Sequence, residues 1–360
     1  MFESWRGRYA DSPRALSERL RDRYPQLRHI WVADDDASMP DHLERVRHNG
    51  PAYFARLLTT DFLVTNDIVS KHLVKGPRVT YVQTWHGTPL KTIGYDEATP
   101  QYAGAASHRK RMARDVAKWD HLLSPSPDCS RIFRSAFGFD GDIVESGYPR
   151  NDILRSPEAN AIGTRVRKAL GVAANARVVL YAPTWRDDAR DDAGFKDPGR
   201  LELHTFLAGT PEDTLLLVRM HNVVATRVPR HHTGRVIDVS EHPEISELYL
   251  ASDLLVSDYS SAVYDFAVTG KPIVLFAYDL EHYRTGLRHL YFDYETWAPG
   301  PIVDNTTELA AVVSALLTDP SAPGEFTDSY QRFIERFCPF EDGGASDRVI
   351  DSVFAPILED

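Results

Sequence analysis

The residues best placed to do chemistry begin with His86, in the run Tyr81-Val82-Gln83-Thr84-Trp85-His86-Gly87-Thr88-Pro89-Leu90-Lys91. A β-forming stretch ends there in a His-Gly pair, and Thr88-Pro89 reads as the cap and first residue of a helix. The spacing predicts His86 at the carboxyl end of a strand, beside a helix start, where open α/β sheets bind their ligands. Gly87 lets a backbone approach a ligand closely, the amides of that helix start suit an anion, and Lys91 adds a mobile positive charge. A lone histidine is more often structural than catalytic. The strand end, the glycine and the cap beside this one favour proton transfer.

A second constellation is Ser257-Asp258-Tyr259-Ser260-Ser261, which closes the apolar run Leu254-Leu255-Val256. It predicts a buried strand running into a helix capped by Ser260 or Ser261 and stopped by Gly270, a phosphate cradle without a glycine-rich loop. An ordinary capped junction needs one serine, and this cluster is richer. Asp258 reads as a group that orients a histidine, a lysine or a donor hydroxyl rather than as a nucleophile. Two further strand ends carry Thr184 and Arg186 (Tyr181-Ala182-Pro183-Thr184-Trp185-Arg186) and Arg219 with His221 (Arg219-Met220-His221). The arginine forks suit phosphate, and His221 suits a proton transfer to a leaving phosphate. Each alone is equally a surface ion-pair residue; together they favour an anionic ligand.

Other chemistries lack their signatures. The serines have no Gly-x-Ser-x-Gly elbow, and neither a dinucleotide fingerprint nor a Walker lysine loop is present. No His-Glu-x-x-His or Cys-x-x-Cys supports a transition metal, so no metal site is assigned and no cofactor is required. The acidic loop Asp187–Asp192 reads as an exposed solvated turn, with a magnesium ion near a diphosphate as its sharper, unsupported alternative.

These side chains need a scaffold that brings strand ends together. Short β-branched runs alternate with helical stretches, which predicts α/β architecture: two doubly wound, Rossmann-like domains facing a central cleft. The first series of strands lies near His29–Ala33, Asp61–Thr65, Val79–Gln83, His121–Leu123 and Asp142–Glu145. The second lies near Val178–Ala182, Leu215–Arg219, Val236–Val239, Leu254–Ser257, Ile273–Phe276 and Ile302–Val303. Gly147–Leu154 reads as the joint. The expected domains are 1–152 and 153–335, followed by a C-terminal segment over 336–360. Ser12-Pro13 reads as the N-cap and first residue of a basic helix over Arg14–Arg23, a surface helix before it is a lipid-binding one.

Composition narrows the classes. A chain of 360 residues, 42% hydrophobic, holds enough apolar surface for two cores. Its formal charge of −11 excludes a general nucleic-acid binder, so any phosphate site must be local. Basic stretches at His108–Arg114 and Arg227–Arg235 read first as solvated faces, and otherwise as contacts for an anionic acceptor or lipid headgroups. Two cysteines, Cys129 and Cys338, are too few for a disulfide framework and fit a reducing, cytoplasmic compartment. The polar N-terminus and the lack of a long apolar run predict neither export nor membrane spanning.

In order and approximate spacing, these motifs resemble the CDP-glycerol glycerophosphotransferases over about residues 28–350. The series comprises Ile30-Trp31-Val32, Leu63-Val64-Thr65-Asn66, the Gln83–Lys91 run, Gly147-Tyr148-Pro149-Arg150-Asn151-Asp152, Tyr181–Arg186, Arg219-Met220-His221, Ser257–Ser261 and Phe337–Gly343. The resemblance implies a GT-B type fold, with the acceptor side in the first domain, the donor in the second and a last helix that crosses back to the first. It further implies His86 as catalytic base, and His221 with Ser257, Ser260 and Ser261 at the donor phosphates. Gly87, Thr88, Lys91, Arg150 and Asp152 are expected on the acceptor or substrate side. The implied partners are CDP-glycerol or a related CDP-polyol and a polyol-phosphate or saccharide-phosphate polymer of teichoic-acid or capsule type. Peripheral contact with an anionic membrane at the cytoplasmic face is implied too. The alternatives are a GT-B glycosyltransferase or epimerase using a UDP-sugar, told apart by the nucleotide released, and a noncatalytic polymer-binding module, told apart by binding without CMP release.

Overall fold

In the computed structural model the chain divides into two compact units, one of residues 1–88, 93–155 and 337–360 and the other of residues 89–92 and 156–336. The residues described are all but 6, 34–38, 70–73, 98–104, 185–189, 192–193, 196–200, 221–233, 284–288, 320–323, 325 and 360.

The first unit is built on seven strands: β1 (Phe2–Glu3), β2 (Ile30–Val32), β3 (Glu44–Val46), β4 (Phe62–Thr65), β5 (Thr80–Gln83), β6 (His121–Ser124) and β7 (Asp142–Glu145). Their order is β3-β2-β1-β4-β5-β6-β7, and every pairing is parallel. The order reverses between β1 and β4, so the carboxyl ends of those two strands flank the switch point where such sheets open a crevice. Five of these strands lie within a residue or two of the expected runs; β1 and β3 were not foreseen. The two-residue β1 is nonetheless central, with Phe2 opposite Trp31 on one side and Val64 on the other.

Apolar residues of this sheet pack with Leu16 and Leu20 of the helix Asp11–Arg23, and with Val349, Ile350, Val353 and Phe354 from the end of the chain. That last segment is held by Gly147–Asp152. Gly147 has φ +82°, and a Cβ there would lie 2.6 Å from the Phe340 carbonyl oxygen, so only glycine fits without displacement. The Tyr148 amide donates to Glu341 at 2.9 Å, and the Asp152 carboxylate accepts from the amides of Ala345 and Ser346, both at 2.8 Å. The expected joint also docks the C-terminal segment, and the units divide just after it, between Arg155 and Ser156.

The N-terminal helix begins one residue before the expected cap. Asp11 opens it with φ +62° and takes the Ser12 amide on its carboxylate at 2.6 Å, while Ser12 is buried. Its arginines pair along the surface: Arg14 with Glu18, Arg19 with Asp347, and Arg23 with Asp347 and Asp351. Three of its four arginines therefore have carboxylate partners, while Arg21 contacts His42.

The second unit carries β8 (Arg177–Ala182), a short antiparallel pair of β9 (Arg190–Asp191) and β10 (Gly194–Phe195), then β11 (Thr214–Val218), β12 (Val236–Asp238), β13 (Leu254–Ser257), β14 (Ile273–Phe276) and β15 (Ile302–Val303). The main sheet runs β12-β11-β8-β13-β14-β15, all parallel, so its switch point falls between β8 and β13. All six of its strands match the expected runs. Asp187 to Ala189 and Asp192 of the acidic loop lie outside the described residues, while Arg190–Asp191 is strand rather than turn. Arg235, at the end of the second basic stretch, staples the sheet edge by donating to the carbonyls of Thr214, Leu207 and Pro211. Arg227, Arg230, His231 and His232 fall outside the described residues.

Candidate functional site

The first unit places His86 as its spacing requires. Strand β5 ends at Gln83, whose buried side chain works in two directions. Its Nε2 donates to Thr65 Oγ1 and to the Asp67 carbonyl, both at 3.2 Å, and its Oε1 accepts from the Trp85 amide at 2.9 Å. The Thr84 amide continues the ladder to the Thr65 carbonyl at 2.7 Å. This grip holds Trp85 at φ +54°, in the left-handed region, and so turns His86 over the end of β4.

There His86 Nδ1 lies 2.6 Å from the Asn66 carbonyl oxygen. A carbonyl can only accept, so Nδ1 carries the proton, and in the neutral ring Nε2 keeps its lone pair and is the basic nitrogen. The half-buried imidazole packs on the Trp85 indole, with centroids 4.1 Å apart, and on Trp5 at 4.8 Å. Asn66 is itself fixed: its Oδ1 accepts from the Trp5 amide and its Nδ2 donates to Ser4 Oγ, both at 3.1 Å. Trp5, Asn66 and His86 thus gather at the carboxyl ends of β1, β4 and β5. Of these, Trp5 escaped the sequence reading because a two-residue strand leaves no periodic signal.

No helix starts at Thr88-Pro89. Proline disfavours a helical residue before it, and the chain instead runs extended into the second unit. There Lys91 bridges to Leu290, the Leu90 carbonyl accepts from the Tyr291 amide, and the Thr92 amide donates to the His289 carbonyl. The helix start expected to hold an anion there is not formed, and the next described helical turns are Gly94–Asp96 and Ala105–Val116. Gly87 and Thr88 are buried in the first unit.

Arg150 and Asp152 face inward. Arg150 is 6% exposed, lies over the Tyr148 ring at 4.6 Å and donates to Asp11 at 3.3 Å, while Asp152 caps the helix at Ala345. Within the unit their partners are Asp11 and the C-terminal segment.

In the second unit the switch point joins two expected residues. Asp258, 2% exposed, accepts from the Thr184 amide at 2.8 Å, and its own carbonyl accepts from the Tyr294 hydroxyl at 3.1 Å. This bond ties the loop after β8 to the loop after β13, so Asp258 orients backbone. Ser257 is fully buried, and its hydroxyl donates to the Ala182 carbonyl at 2.7 Å, which makes it part of the sheet rather than of a phosphate cradle. The following helix, Ala262–Ala267, has only six residues. Ser260 Oγ accepts from the Ala262 amide at 3.2 Å, and Ser261, half-buried, makes no side-chain cap bond. Gly270 ends the turn at φ +74°, as its position suggested.

Arg219 follows β11 with its guanidinium on the carbonyls of His242 at 2.7 Å and Val239 at 3.4 Å, a placement that fixes its charge near the strand end. Arg186 and His221 lie outside the described residues. Among the described residues no group of three or more His, Cys, Asp or Glu is arranged to hold a metal ion. Nor is any described helix long and apolar enough to cross a membrane. Cys129 and Cys338 are both buried thiols, and burial pushes that of Cys129 up to about 12.

Two parallel, doubly wound sheets in one chain, each with polar groups at its switch point, place the protein in the α/β class with a GT-B-like fold. Residues 1–355 match the family described as CDP-glycerol:poly(glycerophosphate) glycerophosphotransferase, and the chain belongs to it. It is 36% identical over 370 residues to a teichoic acid glycerol-phosphate transferase of Staphylococcus aureus, covering 98% of this chain and 92% of that one. It is 33% identical to the teichoic acid poly(glycerol phosphate) polymerase of Bacillus subtilis over 98% of its own length but 48% of the relative's. A solved structure of the wall teichoic acid polymerase TagF superposes with a TM-score of 0.91 at 33% identity, covering 99% of this chain and 89% of that one. A UDP-N-acetylglucosamine 2-epimerase from Listeria monocytogenes, with a TM-score of 0.55 and 14% identity, shares the fold alone. The chain is thus an enzyme, a glycerophosphotransferase of the CDP-glycerol type, and the UDP-sugar alternative finds no support beyond architecture.

Proposed function

We propose that the enzyme moves glycerol phosphate from CDP-glycerol to a hydroxyl at the end of a teichoic-acid-type polymer, with His86 as general base. The acceptor O–H gives its proton to Nε2, its oxygen bonds to the glycerol-bearing phosphorus, and the diphosphate P–O bond breaks so that CMP departs with the electron pair. The observation that carries this reading is the Nδ1 bond to Asn66, which leaves the basic nitrogen available at a strand end. Support for the donor comes from TagF, which has been solved as a variant after a CDPG soak.

On this reading the second unit holds the donor diphosphate through Arg219, Ser260 and Ser261, joined by Arg186 and His221, while Asp258 positions Thr184. Lys91, Gly87 and Thr88 serve the substrate side. The acceptor is a polyol-phosphate or saccharide-phosphate polymer. Anionic lipid headgroups at the cytoplasmic face meet the helix Ala105–Val116, where Lys110 and Arg114 are exposed. The deciding experiment uses His86→Ala with CDP-glycerol and acceptor oligomers. Turnover, read as CMP release, should fall by about 100-fold or more while CDP-glycerol still binds. Undiminished turnover in the folded variant overturns the role.

A further inference from the structure

Among the described residues, four without glycine's freedom take left-handed backbone angles: Trp5, Asp11, Asn49 and Trp85. Three of the four converge on one imidazole. Trp85 and Trp5 are the two indoles packed on His86, and Asp11 accepts the Trp5 indole N–H on Oδ2 at 3.2 Å. Backbone strain of this kind persists only where the surroundings impose it, and it gathers at functional sites. Trp5 adds a second oddity: it is a large aromatic that stays 37% exposed in a unit with an ample core.

The hydrogen bond from Nδ1 to Asn66 fixes one atom of the ring but not the tilt of its plane about that bond. Ring contacts restrict the tilt: Trp85 stacks on the imidazole with 28° between the planes, and Trp5 leans against it from another direction at 53°. The backbone of Trp5 secures the acceptor, through its amide on Asn66 Oδ1, and its side chain bears on the ring itself. We propose that Trp5 is a positioning residue for the transfer reaction, its indole being held by Asp11 so that the His86 ring keeps one orientation and Nε2 one direction. Arg150 is the back support of this device, donating from Nη1 to both oxygens of Asp11 at 3.3 and 3.4 Å from within the unit. The inference rests on the reading of His86 as base.

The test compares Trp5→Leu, which keeps apolar bulk without a plane, with Trp5→Phe, which keeps a plane. Both are assayed for CMP release from CDP-glycerol with acceptor, beside His86→Ala and the Trp5→Leu/His86→Ala double variant. Trp5→Leu should lower kcat about 10- to 100-fold with KM for CDP-glycerol unchanged, since small misplacement of a reacting group costs factors of that size. Trp5→Phe, which keeps a ring but loses the Asp11 bond, should fall between Trp5→Leu and the parent, and adding Trp5→Leu to His86→Ala should cost nothing more. The proposal is overturned if Trp5→Leu turns over at the parental rate, if its defect lies in KM, or if Trp5→Phe is as slow as Trp5→Leu. It is overturned too if the double variant falls well below His86→Ala. Parental turnover in His86→Ala instead sinks the underlying assignment of the base, whatever the Trp5 variants do.

Discussion

The Tyr81 hydroxyl donates to the Asp115 carboxylate at 3.1 Å, with both groups in the interior of the first unit. The same carboxylate oxygen accepts from Trp119 Nε1 at 2.9 Å, and the phenol is in contact with Thr65 Oγ1 at 3.0 Å. Thr65 in turn takes Gln83 Nε2, so a chain of buried polar groups runs from the helix Ala105–Val116 to the turn that carries His86.

Burial raises the Asp115 pKa from 3.8 to about 6, against the opposing pull of the Trp119 and Tyr81 donors and of Lys118. A carboxyl that binds its proton more tightly when folded contributes most stability below 3.8. That contribution is lost as the pH rises to about 6 and is flat beyond. Asp115→Asn should therefore be more stable than the parent at pH 7, by on the order of 3 kcal/mol, and most of the difference should be gone near pH 4. Thermal melts of both proteins at intervals from pH 4 to 7 check this; parallel curves at every pH refute it.

How much of this was legible in the sequence depended on length and locality. Strands of four to six apolar, β-branched residues such as β8 and β13 announced themselves, and His86 followed from the end of one of them. The two residues of β1 carried no pattern, and with them went the switch point and Trp5. Thr88-Pro89 has the chemistry of a helix cap, but pairing with residues 289–291 prevailed over that local preference. Asp152 looked like a substrate ligand because it is polar and sits in a motif. Its partner Ala345 lies 193 residues away, a distance at which a single sequence gives no hint of contact.

That partnership predicts a stability phenotype in place of a binding one. Asp152→Ala leaves the amides of Ala345 and Ser346 without their acceptor, a loss of about 1–3 kcal/mol. Urea unfolding should show the lower midpoint, amide exchange should accelerate at residues 345–346, and KM for the acceptor should stay as it was. A raised acceptor KM at unchanged stability would return Asp152 to the substrate side.

Gln83 is predicted to matter for rate as well as stability. Gln83→Leu keeps a similar side-chain volume but leaves the partly buried Trp85 amide without its acceptor, which costs about 1 kcal/mol. The left-handed turn at Trp85 loses its anchor, so kcat should drop several-fold with little change in KM for CDP-glycerol. Steady-state kinetics on the folded variant, at a temperature well below its midpoint, separates the two effects. An unchanged kcat would mean that stacking alone holds His86.

The two serines at the second switch point should behave differently, because the fold uses only one of them. Ser260 Oγ accepts from the Ala262 amide, so Ser260→Ala should lower stability by about 0.5–2 kcal/mol whatever it does to the donor. Ser261 makes no cap bond, and its removal should leave the melting temperature within a degree or so. If the pair holds the diphosphate, Ser261→Ala must nevertheless raise KM for CDP-glycerol several-fold, about the worth of one hydrogen bond to a charged group. Stability and donor KM measured on both variants decide the matter: a Ser261→Ala enzyme with parental KM places the donor phosphates elsewhere, most directly on Arg219 and the strand ends beside it.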